Sequence, residues 1–246
     1  TVIGTDALSD SNIGDYNTAV GYSAMYSNTS GNNNIAIGSN ALYSNTMGSN
    51  NVATGFMALN SNTSGNNNVA HGLRTLNNNT IGNNNIATGT RALFSNTTGS
   101  NNIATGTRAL YYNLSGSFNV SNGTRTLYLN TTGSYNVANG FRALNSNTIG
   151  NNNIANGYQT LYSNTTGSNN VASGYESLRN NSTGYDNIAF GTQSLYSNTA
   201  GDANVSIGTN SLYFNTVGIN NTAIGTESGL NSNGDAIPFK LSSDGV

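Results

Sequence analysis

Apolar and small residues recur along this chain every 17 positions, and polar residues fill equally fixed columns between them. Counted from a Gly, with Gly14 opening the first complete unit, the pattern reads G-x-x-N-[IV]-A-x-G-x-x-[AST]-L-x-x-N-T-x. Two Gly columns, at unit positions 1 and 8, hold 27 of the 30 Gly, so Gly is punctuation in this chain and not flexible filler. Twelve complete units span Gly14 to Val217, with partial units on both sides, and the pattern ends after Glu227. One repeat domain is therefore expected over 1–228. Residues 229–246, with the only Pro (Pro238), read as a tail or a link to a further segment. The chain opens on Thr, not Met, which reads as a fragment or a processed product.

The period decides the fold class. Gly every seven to ten residues opposes helix, because each Gly costs about 1 kcal/mol in a helix interior. A 17-residue unit fits one coil of a parallel β-solenoid, or β-roll, with two short strands and two turns, so the fold is expected to be all-β. Strand one is expected at unit positions 3 to 7 (Asn50 to Thr54, for example) and strand two at about positions 10 to 14. Gly at position 8 makes one turn and N-T-x-G the other.

Asn fills position 4 in every available unit, and position 15 is Asn from Asn28 to Asn215. Coils stacked about 4.8 Å apart would let each amide donate to one neighbour and accept from the other. Asn34, Asn51, Asn68, Asn85, Asn102, Asn119, Asn136, Asn153 and Asn170 are the expected rungs of such a ladder, and position 15 could supply a second. The apolar columns leave two arrangements open. Position 5 is mostly Ile or Val, position 6 Ala, position 11 Ala, Ser or Thr, and position 12 almost always Leu. Strand side chains alternate faces. Either the large residues point inward and leave Ala surfaces outside, or the small ones point inward and leave an Ile/Leu stripe that marks an interface.

Composition narrows the classes. Only 7% of residues are charged and the formal net charge is −2, so no bulk electrostatic case exists for nucleic acid or an acidic membrane. There is no Cys, which removes disulfides, thiolate nucleophiles and Cys metal sites. No apolar run reaches membrane-spanning length, and no signal peptide is visible.

The segments "NNIAIGSNAL" (Asn33 to Leu42) and "TTGSNNIATGTRAL" (Thr97 to Leu110) resemble the head repeats of trimeric autotransporter adhesins and related phage tail-fibre and bacterial fibre repeats. The likeness covers about residues 2 to 228, although the unit here is longer than the adhesin one. It implies a left-handed parallel β-roll, three chains around one axis, and display outside the cell or on a virion as a stiff attachment module.

Position 10 carries Arg74, Arg91, Arg108, Arg125 and Arg142 in five successive units. No acidic residue lies between Asp15 and Glu176, so a +5 middle separates a −3 start from a −4 end. Position 7 changes in parallel: Ile3, Val20 and Ile37 give way to Thr54, His71, Thr88, Thr105, Asn122, Asn139, Asn156 and Ser173, and then to Phe190, Ile207 and Ile224. The plain reading of the Arg column is a solvated face copied by repeat duplication. The sharper one is a linear anion-binding strip, because Arg forks match carboxylate, sulfate and phosphate groups, and acidic surface polysaccharide carries these. Chain-to-chain contacts through the same Arg are a third reading. Position 13 is often aromatic (Tyr26, Tyr43, Phe94, Tyr111, Tyr128), which is read as packing.

Catalytic chemistry is missing from the pattern. His71, the only His, stands in a variable column with no acid nearby and reads as a solvated substitution. The carboxylates are scattered. Asp186 and Asp202, in adjacent coils, are the one weak candidate for an ion site, and no metal or cofactor is expected. Sequons at Asn28, Asn62, Asn96 and Asn164 follow from the N-T turn; in a glycosylating host they would place glycans in one row. The expectation is thus a non-enzymatic structural and adhesive module of an extracellular fibre, an adhesin head or a tail-fibre shaft. It would be homotrimeric or self-associating and would attach to, or display sites for, surface glycans. An ice-binding solenoid is one alternative, with T-x-T only at Thr88/Thr90 and Thr105/Thr107 and a regular Thr column at position 16. A receptor-free self-assembling filament subunit is another. A glycan-active enzyme on a β-helix is disfavoured, because the middle coils have no acids.

Overall fold

The computed structural model describes residues 1–8 and 12–229; Pro238 and the remainder of the expected tail lie outside the described residues. The chain divides into two compact units, Thr1–Ser134 and Tyr135–Val246. In the first, β1 (Val2–Ile3), β2 (Thr18–Val20), β3 (Ile35–Ile37), β4 (Val52–Thr54), β5 (Val69–His71), β6 (Ile86–Thr88), β7 (Ile103–Thr105) and β8 (Val120–Asn122) stack in chain order. In the second, β9 (Val137–Asn139), β10 (Ile154–Asn156), β11 (Val171–Ser173), β12 (Ile188–Phe190), β13 (Val205–Ile207) and β14 (Thr222–Ile224) do the same. Pairing is parallel with a register of one unit, as in Ile86↔Ile103 and Ile188↔Val205. Each coil is one 17-residue unit, so the protein is an all-β parallel solenoid.

The strands are shorter than their pattern predicts, and the second strand is absent among the described residues. Position 3 is left-handed (φ 59° at Asn50 and at Asn101), which ends the strand before position 5. Positions 10 and 12 are left-handed as well, with φ 56° at Arg108 and 52° at Leu110. This side of the coil is a run of turns whose amides alternate direction. Arg108 N–H donates to the Thr90 carbonyl of the preceding coil at 3.0 Å, and Leu110 N–H to Thr126 of the following coil at 2.9 Å. Ala109 N–H closes a turn within its own coil, onto Gly106. Backbone groups are thus satisfied without a second sheet.

This geometry resolves the two open core arrangements in favour of neither. Without strand alternation, consecutive residues at positions 11 and 12 both point inward: Ala109 and Leu110 are fully buried, as are Ala92 and Leu93. On the strand side Ala is inside and Ile/Val outside, with Ala104 buried and Ile103 at 40% exposure. The core is therefore Ala against Leu, closed at its edges by amides. A left-handed Leu costs about 1–2 kcal/mol. Burying its side chain returns about 1.5–3 kcal/mol, enough to hold the conformation in every coil.

The position-4 ladder forms as the spacing predicts. In the first unit the Nδ2 of Asn51, Asn68, Asn85, Asn102 and Asn119 each donates to Oδ1 of the Asn one coil earlier, at 3.1–3.2 Å. Each also donates to a Gly carbonyl, as Asn102 does to Gly116 at 2.9 Å. In the second unit Asn153 donates to Asn136 and Asn170 to Asn153, both at 3.1 Å. A second ladder runs at position 15, where Asn96 donates to Asn79 at 2.7 Å and to Gly99 at 2.9 Å. Position-1 Gly is obligatory beside it: a Cβ on Gly99 would lie 2.4 Å from Asn96 Oδ1 and 2.4 Å from the Gly116 carbonyl oxygen.

Candidate functional site

Arg74, Arg91, Arg108 and Arg125 occupy the first unit, at φ 51–57° on the turn side of successive coils. Their amides are fixed to the preceding coil through the carbonyls of Phe56, Leu73, Thr90 and Thr107 at 2.9–3.1 Å. The side chains are half-buried, lying along the surface. The Arg74 guanidinium carbon sits 5.9 Å from the Phe56 ring centre, and that of Arg125 lies 5.7 Å from Tyr128. With no Asp or Glu between residues 15 and 176, the positive charge of these coils meets no protein carboxylate from the same stretch. Arg142 belongs to the second unit, where it lies 5.1 Å over Phe141.

Elsewhere in the second unit the same column carries Gln159, Glu176 and Gln193, and the cation moves to position 13. There Arg179 pairs with Glu176 at 3.4 Å, bonds Gln159 Oε1 at 3.1 Å and lies over Tyr162 and Tyr196. The first unit thus carries four Arg in this column, and the second carries Arg142 together with the Glu176–Arg179 pair.

Three coils of the first unit add two flanking columns. Thr90, Thr107 and Thr124 precede Arg91, Arg108 and Arg125 and are exposed. Phe94, Tyr111 and Tyr128, three positions after those Arg, stack on one another with ring centres 5.0 and 5.4 Å apart. Tyr112 stands steeply against Tyr111 and Tyr128, at 74° and 80°, with ring centres 4.6 and 5.2 Å away. Burial, then its hydrogen bond with Tyr112, raises the Tyr128 phenol pKa, with Arg108 pulling the other way. Position 13 is therefore a packed ring column, as its pattern suggests. The coincidence of Thr, Arg and ring columns in the same coils is legible in "TGTRALF" and "TGTRALY" once the columns are read together; read singly, they conceal it.

The other sequence candidates find structural places. His71 is exposed on the outer face of β5. Asp202 accepts the Tyr185 amide at 3.0 Å, and Asp186 is a left-handed turn residue. Among the described residues, no group of three His, Cys, Asp or Glu could hold a metal. The regular Thr column spends its hydroxyls on the backbone: Thr63 Oγ1 donates to the Thr80 carbonyl at 3.1 Å and Thr80 Oγ1 to Thr97 at 3.0 Å. The sequon residues Asn28, Asn62, Asn96 and Asn164 are fully buried ladder rungs, so the folded chain cannot present them as a glycan row. A shallow open groove of about 310 Å³ lies among Tyr22, Ser23, Asn40, Tyr43, Met57 and Asn60. Among the described residues, no helix is long and apolar enough to cross a membrane.

No family model, no curated protein and no solved structure matches the chain.

Proposed function

We propose that the chain is a non-enzymatic structural and adhesive module of an extracellular or virion-surface fibre, and that its turn side attaches to acidic surface glycans. The observation that carries this reading is the row of Arg at one register position of stacked coils, in a stretch of sequence that holds no Asp or Glu. Side chains there repeat at the coil spacing, which suits an extended ligand better than an enclosed small molecule. The likeness to adhesin-head and tail-fibre repeats supports the same assignment. Self-association, with a homotrimer as the expected form, is favoured by the row of outward Ile and Val at position 5. Ile35, Ile86 and Ile103 are 40–46% exposed on one sheet face. The same row supports the second reading, a filament subunit that assembles without a receptor.

Adsorption of the full chain to a panel of acidic and neutral polysaccharides tests the adhesive half. Retention on the acidic members alone, weakened by salt, is expected. Equal retention on neutral chains, or none on any, would leave only the structural half.

A further inference from the structure

The position-13 ring column of the first unit is interrupted. Tyr26 and Tyr43 stack with ring centres 5.4 Å apart and planes at 8°, and stacking resumes only at Phe94 and Tyr111. Between them the column carries Asn60 and Asn77. Both side chains turn back onto the backbone: Asn60 Nδ2 donates to the Asn40 carbonyl and Asn77 Nδ2 to that of Met57, each at 2.9 Å. Tyr26 thus covers one face of Tyr43, and the column places no ring on the other.

The groove of about 310 Å³ lies at this notch. Positions 9 and 10 give it Tyr22, Ser23, Asn40 and Met57, and position 13 gives it Tyr43 and Asn60. Met57 and Asn60, one coil beyond Tyr43, line the groove and Tyr26 does not, so it reaches the uncovered ring face. Its polar groups are not spent on the protein. Ser23 is only 5% exposed, yet its hydroxyl makes no hydrogen bond within the described residues. The side-chain amide of Asn40 makes none there either, and Asn60 keeps its Oδ1 after giving Nδ2 to the backbone. None of the lining residues is charged.

These features select a ligand class. The negative face of an aromatic ring takes up C–H groups that carry a small positive charge. Ser23 and Asn40 can each donate and accept hydrogen bonds. A neutral pyranose meets both demands in one small body, with a C–H face and a rim of hydroxyls. A uronic acid would bring a carboxylate to a groove that has no cation. A flat aromatic ligand would stack on Tyr43 but leave Ser23 and Asn40 without partners. The coil step of about 4.8 Å gives the sugar the place on Tyr43 that the next ring of the column would otherwise hold.

We propose that the notch beside Tyr43, with Ser23, Asn40 and Asn60, is a subsite for one neutral hexopyranose ring. It uses none of the Arg column, so it goes beyond the anion-binding reading and stands independently of it.

The test reads Met57. The chain has three Met; Met25 is fully buried in the core and Met47 is 61% exposed at another position of the repeat. The full chain, isotope-labelled at the Met methyl groups for NMR, is titrated with methyl glucopyranoside, methyl galactopyranoside and methyl mannopyranoside. Methyl glucuronide and indole are the comparators. The expected result is a saturable shift of the Met57 signal alone with at least one neutral hexoside, with a dissociation constant on the order of millimolar. Tyr43→Asn removes the platform and Asn60→Tyr fills the notch. Both exchange residues that this column already carries, so they suit the coil, and circular dichroism checks the fold. Each weakens binding about tenfold or more, while retention on acidic polysaccharide stays as in the parent. No Met57 shift with any neutral hexoside overturns the proposal. So does equal or tighter binding of glucuronide or indole, or binding unchanged in the two variants. A Met57 signal that moves with protein concentration alone overturns it too, and gives the notch to a side chain of a second copy.

Discussion

At the residue scale, the fold depends on amides that have no spare valence. Asn102 uses every hydrogen-bonding site it has. Its Nδ2 donates to Asn85 Oδ1 and Gly116 O, and its Oδ1 accepts from the amide N–H and the Nδ2 of Asn119. Each group orphaned by removing that side chain costs about 1–3 kcal/mol. Asn102→Ala should therefore lower the urea midpoint strongly. Thr98→Ala, at an exposed site where another coil carries Ala200, should stay within about 0.5 kcal/mol of the parent. Comparable losses in the two variants would contradict the ladder's role. Tyr213 tests a subtler point. Burial, then the nearby Tyr196 and Glu176, pushes its phenol above the ordinary range. A raised acid holds its proton longer in the folded chain than in the unfolded one. The stabilisation is complete below the unfolded phenol's pKa of about 10 and is lost as pH rises through the folded value. Tyr213→Phe should flatten the alkaline fall in melting temperature, and an unchanged slope would count against the assignment.

At the element scale, the three-residue strands and the turn side follow different rules, and this decides which large residue carries the core. Leu110 is fully buried and Ile103 is 40% exposed, although both stand in apolar columns. Leu110→Ala should cost about 2–5 kcal/mol by leaving a cavity. Ile103→Ser should cost under about 1 kcal/mol of folding stability in the single chain. The reverse order in denaturant melts would mean that the strand faces the other way. The sequence makes the strand at positions 5–7, the Gly turn and both Asn ladders legible, because a single 17-residue period places like residues on like. It conceals the turn side. Left-handed backbone is usually announced by Gly or Asn, but here Arg108, Leu110 and Met25 adopt it. Without that cue, period-2 alternation sends Ala109 and Leu110 to opposite faces, whereas the structure buries both. The Arg column is legible by itself; its Thr and ring neighbours become legible only when the columns of one coil are read together.

At the scale of the whole molecule, each coil closes its own core and leaves its Ile/Val row outside. Leu, Ala and Asn hold the single chain, and the outward row is the surface on which the proposed self-association would rest. The most direct measurement of this account is the solution mass of the intact chain by light scattering. The account predicts a mass near 76 kDa, three times the 25.4 kDa of the chain. A mass near 25.4 kDa at every concentration would contradict the associating fibre module and leave a solenoid that stands alone.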